Sequence, residues 1–240
     1  MIKSDSQLFS IILPTFNEEL NIKNFIEDLE KLEINKEIIV IDNNSTDNTC
    51  QEIKKTKAKY FFEKKQGYGY ALKRGLSEAK GDYLFTCEPD GTFNSEDLYK
   101  FLPYLDKFEC VFGTRTSKSM ITNGAKMGPF LRYGNIIVAK FLGYMFFGPS
   151  LTDVGCSFKA FSKEAYLKIE NELKVNDSTF QPEIIINFIL KKCSIVEIPV
   201  FYNYRIGYSK ITYDFISSFR LGIKMILLII KLRIKSLLNK

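Results

Sequence analysis

Apolar and polar positions along the first half of the chain alternate between two periods. Leu8–Leu13 is a short apolar run stopped by Pro14, as a buried strand would be. Leu20, Ile22, Phe25, Ile26, Leu29 and Leu32 then recur at three- and four-residue spacing, the apolar face of a helix. Glu37–Ile41 predicts a second strand, 42–47 a polar turn, 47–57 a helix and Tyr60–Phe62 a third strand. Gly67 and Gly69 mark a loop opening a helix at about 70–79. Asp82–Cys87 predicts a fourth strand, ended by Glu88-Pro-Asp-Gly-Thr92. Asn94 or Ser95 can cap the next helix, and Cys110–Gly113 is a fifth strand.

Repeated β-α-β units with short connections imply an α/β fold, a doubly wound and mostly parallel sheet with helices on both faces. Ligands of such sheets bind beyond the carboxyl ends of the strands. The segments expected there are Pro14–Glu18, Asp42–Ser45 and Glu88–Thr92, all rich in oxygen ligands. The second half is less regular. Residues 129–149 mix helix formers with exposed-looking aromatics, and one more strand is expected around Ile195–Pro199. No repeat or low-complexity linker divides the chain, so residues 1–214 read as one domain and 215–240 as an appended helix.

Composition narrows the chemistry. With 240 residues, 45% of them apolar, the chain can bury a large core. The N-terminal stretch lacks the features of a secretory signal and reads as mature protein. Five scattered cysteines without a CxxC pair argue for reduced thiols in the cytosol. There is no histidine, which excludes Ser-His-Asp and Cys-His catalysis and the histidine-bearing zinc sites. Carboxylates, with Lys, Arg and Tyr, must therefore carry any acid-base or metal chemistry. The net charge of +6 belongs to the tail: six cations and no acid follow Phe215, and the 28 remaining Lys and Arg balance 28 Asp and Glu. A neutral body argues against a nucleic-acid partner.

Glu88 and Asp90 stand two residues apart just past a buried strand, where they can converge on one hard cation such as Mg²⁺ or Mn²⁺. The plainer alternative is a strand-end turn shaped by Asp90-Gly91. Neighbouring motifs weigh against it. Pro14-Thr-Phe-Asn-Glu18 follows the first strand, Ile41-Asp-Asn-Asn-Ser-Thr-Asp47 the second, and Gly67-Tyr-Gly-Tyr-Ala-Leu-Lys-Arg-Gly75 opens a helix. That glycine spacing is a poor match to a dinucleotide-binding turn. Further along come Phe112-Gly-Thr-Arg115, Asp153-Val-Gly-Cys-Ser-Phe-Lys159, Phe180-Gln-Pro-Glu183, and Ile198-Pro-Val before Arg205-Ile-Gly-Tyr-Ser-Lys210. In this order the chain resembles the family-2 glycosyltransferases of GT-A fold, and more narrowly the dolichol-phosphate mannose synthase-like branch, over nearly its whole length.

The resemblance implies a hexosyltransferase that moves a sugar from a UDP- or GDP-sugar to a polyprenyl phosphate or other membrane-associated acceptor, inverting and dependent on Mg²⁺ or Mn²⁺. Pro14, Phe16, Glu18, Asp42 and Asn43 would line the base and ribose pocket. Glu88 and Asp90 would hold the metal against the diphosphate, Asp90 in direct contact. Arg115, Arg132, Arg205 and Lys210 would clamp phosphates, a task suited to guanidinium groups. Asp153 and Glu183 remain for the acceptor side. One would be a general base for a hydroxyl acceptor, or both would position groups if the acceptor is already an anion. A structural salt bridge or a capped helix start is the alternative for each.

Three positions depart from the family pattern. Glu88 stands where an aspartate is common, allowing a water-mediated contact; Thr92 replaces the glutamine of the mannose synthases; and Asn43 replaces a common aspartate, which leaves the choice of uracil or guanine open. The longest apolar run of the tail, Met225–Ile230, is far too short to span a bilayer. Arg220, Lys224, Lys231 and Lys235 form one basic stripe, with Ile223, Met225, Ile226, Ile229, Ile230, Leu232 and Leu237 on the remainder. That pattern suits an anionic membrane surface, placing the protein peripherally on the inner face of the cell membrane. Packing on the domain, or a seam in a homo-oligomer, is the competing use. A sugar nucleotidyltransferase would need a glycine- and lysine-rich loop near Ile11–Glu19, which is absent. A catalytically silent scaffold would have lost Glu88 and Asp90, and both are present.

Overall fold

A computed structural model describes residues 7–207 and 215–238. The strands are β1 (Phe9–Thr15), β2 (Lys36–Asp42), β3 (Lys59–Phe62), β4 (Tyr83–Thr86), β5 (Cys110–Thr114), β6 (Lys159–Ser162) and β7 (Ile195–Pro199). The helices are α1 (Ile22–Glu30), α2 (Thr49–Ile53), α3 (Tyr68–Glu78), α4 (Leu102–Leu105), α5 (Pro129–Phe146), α6 (Lys163–Leu167), α7 (Phe180–Leu190) and α8 (Phe215–Leu238). One sheet runs β3-β2-β1-β4-β6-β5-β7. Its pairs are parallel except those of β6, which lies antiparallel between β4 and β5. The doubly wound, mostly parallel architecture expected from the sequence is therefore the one observed.

Alternation along the strands divides the core. Ile12, Ile39, Ile41, Leu84 and Phe112 face α3, α5 and α7, while Ile11, Leu13, Ile38, Val40 and Phe85 face α1 and its neighbours. Strands buried on both faces read as continuous apolar runs, as EIIVI does. Pro14 does not stop β1, which continues to Thr15. The carbonyl of Ile12 takes a bond from Cys87 N on the β4 side, after β4 has ended. Pro14 points to that same side two residues later, so its missing N–H leaves no ladder bond unmade.

Three elements were not expected: β6, with Lys159 at its start, α6 and α7. The helix expected over 47–57 is only the five-residue α2, and the segment after Asn94 begins as a 3₁₀ turn. Asn94 is the cap, accepting from Glu96 N.

The tail is one helix with three sectors. Leu221, Met225, Ile229 and Leu232 pack on the core formed with α5 and α7, Met225 and Ile229 being buried. Lys224, Lys231 and Lys235 form the exposed basic stripe. The core-facing residues lie about 60–140° to one side of it and Phe219, Ile223, Leu227, Ile230 and Ile234, all exposed, about 60–140° to the other. The apolar remainder is thus split between packing on the domain and a solvent-facing surface. No described helix is long and apolar enough to cross a membrane.

Candidate active site

The three loops beyond β1, β2 and β4 are tied together by short-range polar chemistry. Asn17, at φ 55°, donates its backbone N–H to Ser45 Oγ at 3.0 Å and accepts from Thr46 N at 2.8 Å. Glu18 N donates to Thr49 Oγ1 at 2.8 Å, and Asn21 Nδ2 to the carbonyl of Pro89 at 3.0 Å. Pro14, Phe16, Glu18, Asp42 and Asn43 consequently gather at one edge of the sheet with Glu88 and Asp90. The Asp42 carboxylate caps its own loop by accepting from Ser45 N at 2.9 Å. Asn43 spends its whole amide on the next loop: Nδ2 donates to the carbonyls of Glu63 and Lys65, and Oδ1 accepts from Gly67 N at 2.7 Å. These two side chains brace the loops that follow β2 and β3, and both polar ends of the Asn43 amide are engaged in this arrangement.

The acidic centre lies one step further along the strand ends. Asp90 Oδ1 accepts from Thr92 N at 3.0 Å and Thr92 Oγ1 at 2.5 Å, which fixes the carboxylate plane. Its Oδ2 is paired with Arg205 Nη1, and Arg205 Nη2 reaches Glu18 Oε1 at 2.6 Å. The segment carrying Arg205 is bound to the acidic loop by backbone: Asn203 N donates to Thr92 O and Ile206 N to Asp90 O, at 2.9 and 2.8 Å. Gly91 is required there twice over, since it has φ +81° and a Cβ would press into the Ile206 side chain at 2.9 Å. Burial, reinforced by the Asp90 charge, raises the Glu88 carboxyl to about 7. Burial raises Glu18 to about 8 against the pull of Arg205, with Asp90 and Glu88 adding to the rise.

Asp90 and Glu18 share one guanidinium and Glu88 lies within reach of their charges, an all-oxygen donor set. That set fits a hard divalent cation. Among the described residues no group of three ligands is preformed, so the fit is of the kind in which one or two carboxylates are completed by substrate phosphates. Lys210 lies outside the described residues.

Asp153 and Glu183 are both engaged. Arg115 donates to Asp153 from N, Nε and Nη2 at 3.0, 2.8 and 2.9 Å, and Gly155 N adds a fourth bond. Burial pushes the Asp153 carboxyl up, but the Arg115 charge and hydrogen bonds outweigh it and hold it below the usual range. Glu183, one turn into α7, accepts from Lys174 N and Val175 N, each at 2.9 Å, and burial raises its pKa despite those bonds. Arg132 donates Nε to the Thr116 carbonyl at 2.6 Å and lies over the Tyr133 ring.

A cavity of about 330 Å³ joins this centre to the helices. Glu88, Asp90, Arg115 and Arg205 line its polar end, and Phe130, Ile137, Val138, Phe219, Ile223 and Ile226 its apolar end between α5 and α8. Neither Asp153 nor Glu183 is among its lining residues.

Sequence reasoning missed four polar residues. Glu197, in β7, accepts from Thr152 N, Thr152 Oγ1 and Asp153 N and so holds the loop that presents Asp153. Lys159 is fully buried and bonds the Cys156 carbonyl and Gln181 Oε1, while Gln181 Nε2 reaches the Tyr68 hydroxyl at 2.7 Å. A charged residue inside an otherwise apolar strand was the available signal for Glu197.

A family model described as glycosyl transferase family 2 matches residues 10–169. The chain belongs to that family. Its relatives include a dolichyl-phosphate hexose transferase of Haloferax volcanii, 27% identical over 84% of this chain and 86% of the relative. A dolichyl-phosphate β-glucosyltransferase of Saccharomyces cerevisiae is 28% identical over 82% of this chain and 68% of the relative. The fold of this glycosyltransferase is similar to that of glucosyl-3-phosphoglycerate synthase from Mycobacterium tuberculosis, solved in complex with Mn²⁺, UDP and glucosyl-3-phosphoglycerate. That structure aligns with TM-score 0.72 at 16% identity, over 95% of this chain and 80% of the other.

Proposed function

We propose that this glycosyltransferase moves a hexose from a UDP- or GDP-sugar to a polyprenyl phosphate, with inversion and with Mg²⁺ or Mn²⁺ at Glu88 and Asp90. One observation carries the reading: the cavity that begins at Asp90 and Arg205 runs into an apolar crevice between α5 and α8. A hydrophilic acceptor has no use for that crevice, whereas a phosphate attached to an isoprenoid chain fits both ends. The dolichyl-phosphate transferases among the relatives support the acceptor class, and the Mn²⁺–UDP complex of the structural neighbour supports the donor and the metal.

In this reading the nucleoside lies against Pro14–Glu18 and Asn43, and the diphosphate against Asp90 with Arg205 and Lys210 as clamps. A divalent cation held by Glu88 and Asp90 would neutralise the charge of the leaving nucleoside diphosphate. Arg115, held rigid by Asp153, faces the cavity and receives the acceptor phosphate, and Arg132 serves as a further phosphate clamp. A phosphate oxygen attacks the anomeric carbon from the side opposite the diphosphate, and the bond to the diphosphate breaks with inversion. The attacking group is already an anion, so no strong base is needed and the work is positioning and charge placement. Asp153 and Glu183 serve as positioning residues, in keeping with their full sets of hydrogen bonds.

Residues 1–214 form the catalytic domain and 215–240 the membrane-facing helix. The exposed apolar sector of α8, flanked by Lys224, Lys231 and Lys235, rests on the inner face of the cell membrane. A thermal-shift titration tests the donor side: UDP or GDP should raise the melting temperature with Mn²⁺ and much less in chelator. No stabilisation by either nucleotide under any metal condition would refute the reading.

A further inference from the structure

The buried chain Lys159–Gln181–Tyr68 has a fixed proton direction. The Lys159 ammonium has only donors to offer, so the oxygen of the Gln181 amide must face it, at 2.5 Å. The amide nitrogen then points the other way and donates to the Tyr68 hydroxyl. The phenol oxygen is thereby used as an acceptor, and its own proton remains to be given. Among the described residues no group accepts it. Tyr68 lines the cavity beside Glu88, and Gln181 lines it as well. Lys159 lies beneath them with no exposed surface to speak of, 1%.

The position of this donor along the strand ends says what it meets. Tyr68 opens α3, and the residue before it, Gly67, donates its N–H to Asn43 Oδ1. The turn is pressed onto residues 175–176, where a Cβ at Gly69 would meet the Val175 carbonyl at 2.5 Å, and together with the bond to Asn43 this gives the ring a fixed base. With its nucleoside at Asn43 and its diphosphate at Asp90, as in the donor placement above, a nucleoside-diphosphate sugar would extend its hexose into the cavity that Tyr68, Glu88 and Asp90 line together. We propose that Tyr68 is a binding residue for the transferred sugar, its O–H donating to a sugar hydroxyl oxygen, with Lys159 and Gln181 as the positioning residues that fix this direction. The proposal rests on the donor class given above.

Isothermal titration of full-length protein in Mn²⁺ tests it, with UDP, GDP, UDP-glucose and GDP-mannose as probes. Tyr68→Phe keeps the ring and its packing. It should weaken the sugar nucleotide that wild type binds by roughly tenfold, about one hydrogen bond's worth, while changing the matching nucleoside diphosphate by less than about twofold. Gln181→Leu should reproduce the selective loss, with the loss appearing in the donor KM. Equal weakening of diphosphate and sugar nucleotide would overturn the proposal, as would unchanged sugar-nucleotide affinity. An effect confined to the KM of polyprenyl phosphate would assign Tyr68 to the acceptor instead and also overturn it. If wild type binds UDP or GDP but neither sugar nucleotide, the donor reading itself fails and takes this proposal with it.

Discussion

Replacing Asp153 with asparagine separates a positioning carboxylate from a catalytic base. Asp153 has no exposed side-chain surface and its partner Arg115 only 14%. Three Arg115 donors and Gly155 N converge on it. An amide of the same shape keeps one oxygen but turns an NH₂ toward the guanidinium, leaving a buried cation without its counter-charge. Breaking such a pair from one side costs about 3–5 kcal/mol. For a chain of this size that is a fall in melting temperature of about 6–20 °C. The gap between wild type and variant should hold between pH 6 and 8. Because the folded pKa is depressed, this stability is present above the unfolded value of about 3.9 and is lost as pH falls through the folded one. Differential scanning calorimetry across that range reads the gap. Asp153→Leu combined with Arg115→Met should recover part of the loss, because both charges leave together. A variant that loses transfer activity but melts within about 2 °C of wild type would refute the reasoning and return Asp153 to the role of base.

Arg205→Gln should tighten Mn²⁺ about tenfold in the absence of nucleotide, since a resident cation leaves Asp90 and Glu18; an electron-paramagnetic-resonance titration showing weaker or unchanged affinity would contradict this. In chelator, raised carboxyls at Glu18 and Glu88 contribute stability that is complete below about pH 4.5 and lost as pH rises through about 7 and 8. Glu18→Gln should therefore stabilise the metal-free protein at pH 8.5 relative to wild type, and a thermal scan showing destabilisation there would count against it. Replacing Lys224, Lys231 and Lys235 with glutamine should weaken sedimentation with anionic vesicles at low salt, and wild-type binding should fall as salt screens charges over about 10 Å at 0.1 M. Undiminished binding by the triple variant would leave the helix without an electrostatic role.

The parts of the fold that could be read in the sequence are those whose burial leaves a periodic trace. β1 to β5 and α1 carry clean apolar runs or a helical stripe. α7 carries neither, because nine of its eleven residues are buried and no polar face is left to set a period. β6 was hidden by Lys159, whose burial depends on Gln181 and the Cys156 carbonyl, partners that a local window cannot supply. At the site, the motif order located the loops, and the sheet edge brings them together. How each side chain is used was not legible. Arg205 meets Asp90 across 115 positions, and Asn43 turns its amide onto the following loop rather than leaving it free. Such choices depend on tertiary distances, which sequence spacing does not encode.

Transfer itself is the most direct measurement. Vesicles containing polyprenyl phosphate, Mn²⁺ and radiolabelled UDP-glucose or GDP-mannose are incubated with the full chain, and the organic phase is resolved for a glycosylated lipid phosphate. The account predicts a labelled polyprenyl-phosphate hexose from one of the two donors, absent in excess chelator and absent with Asp90→Asn. Label transferred only to water-soluble acceptors, or a glycolipid formed equally well in chelator, would contradict it.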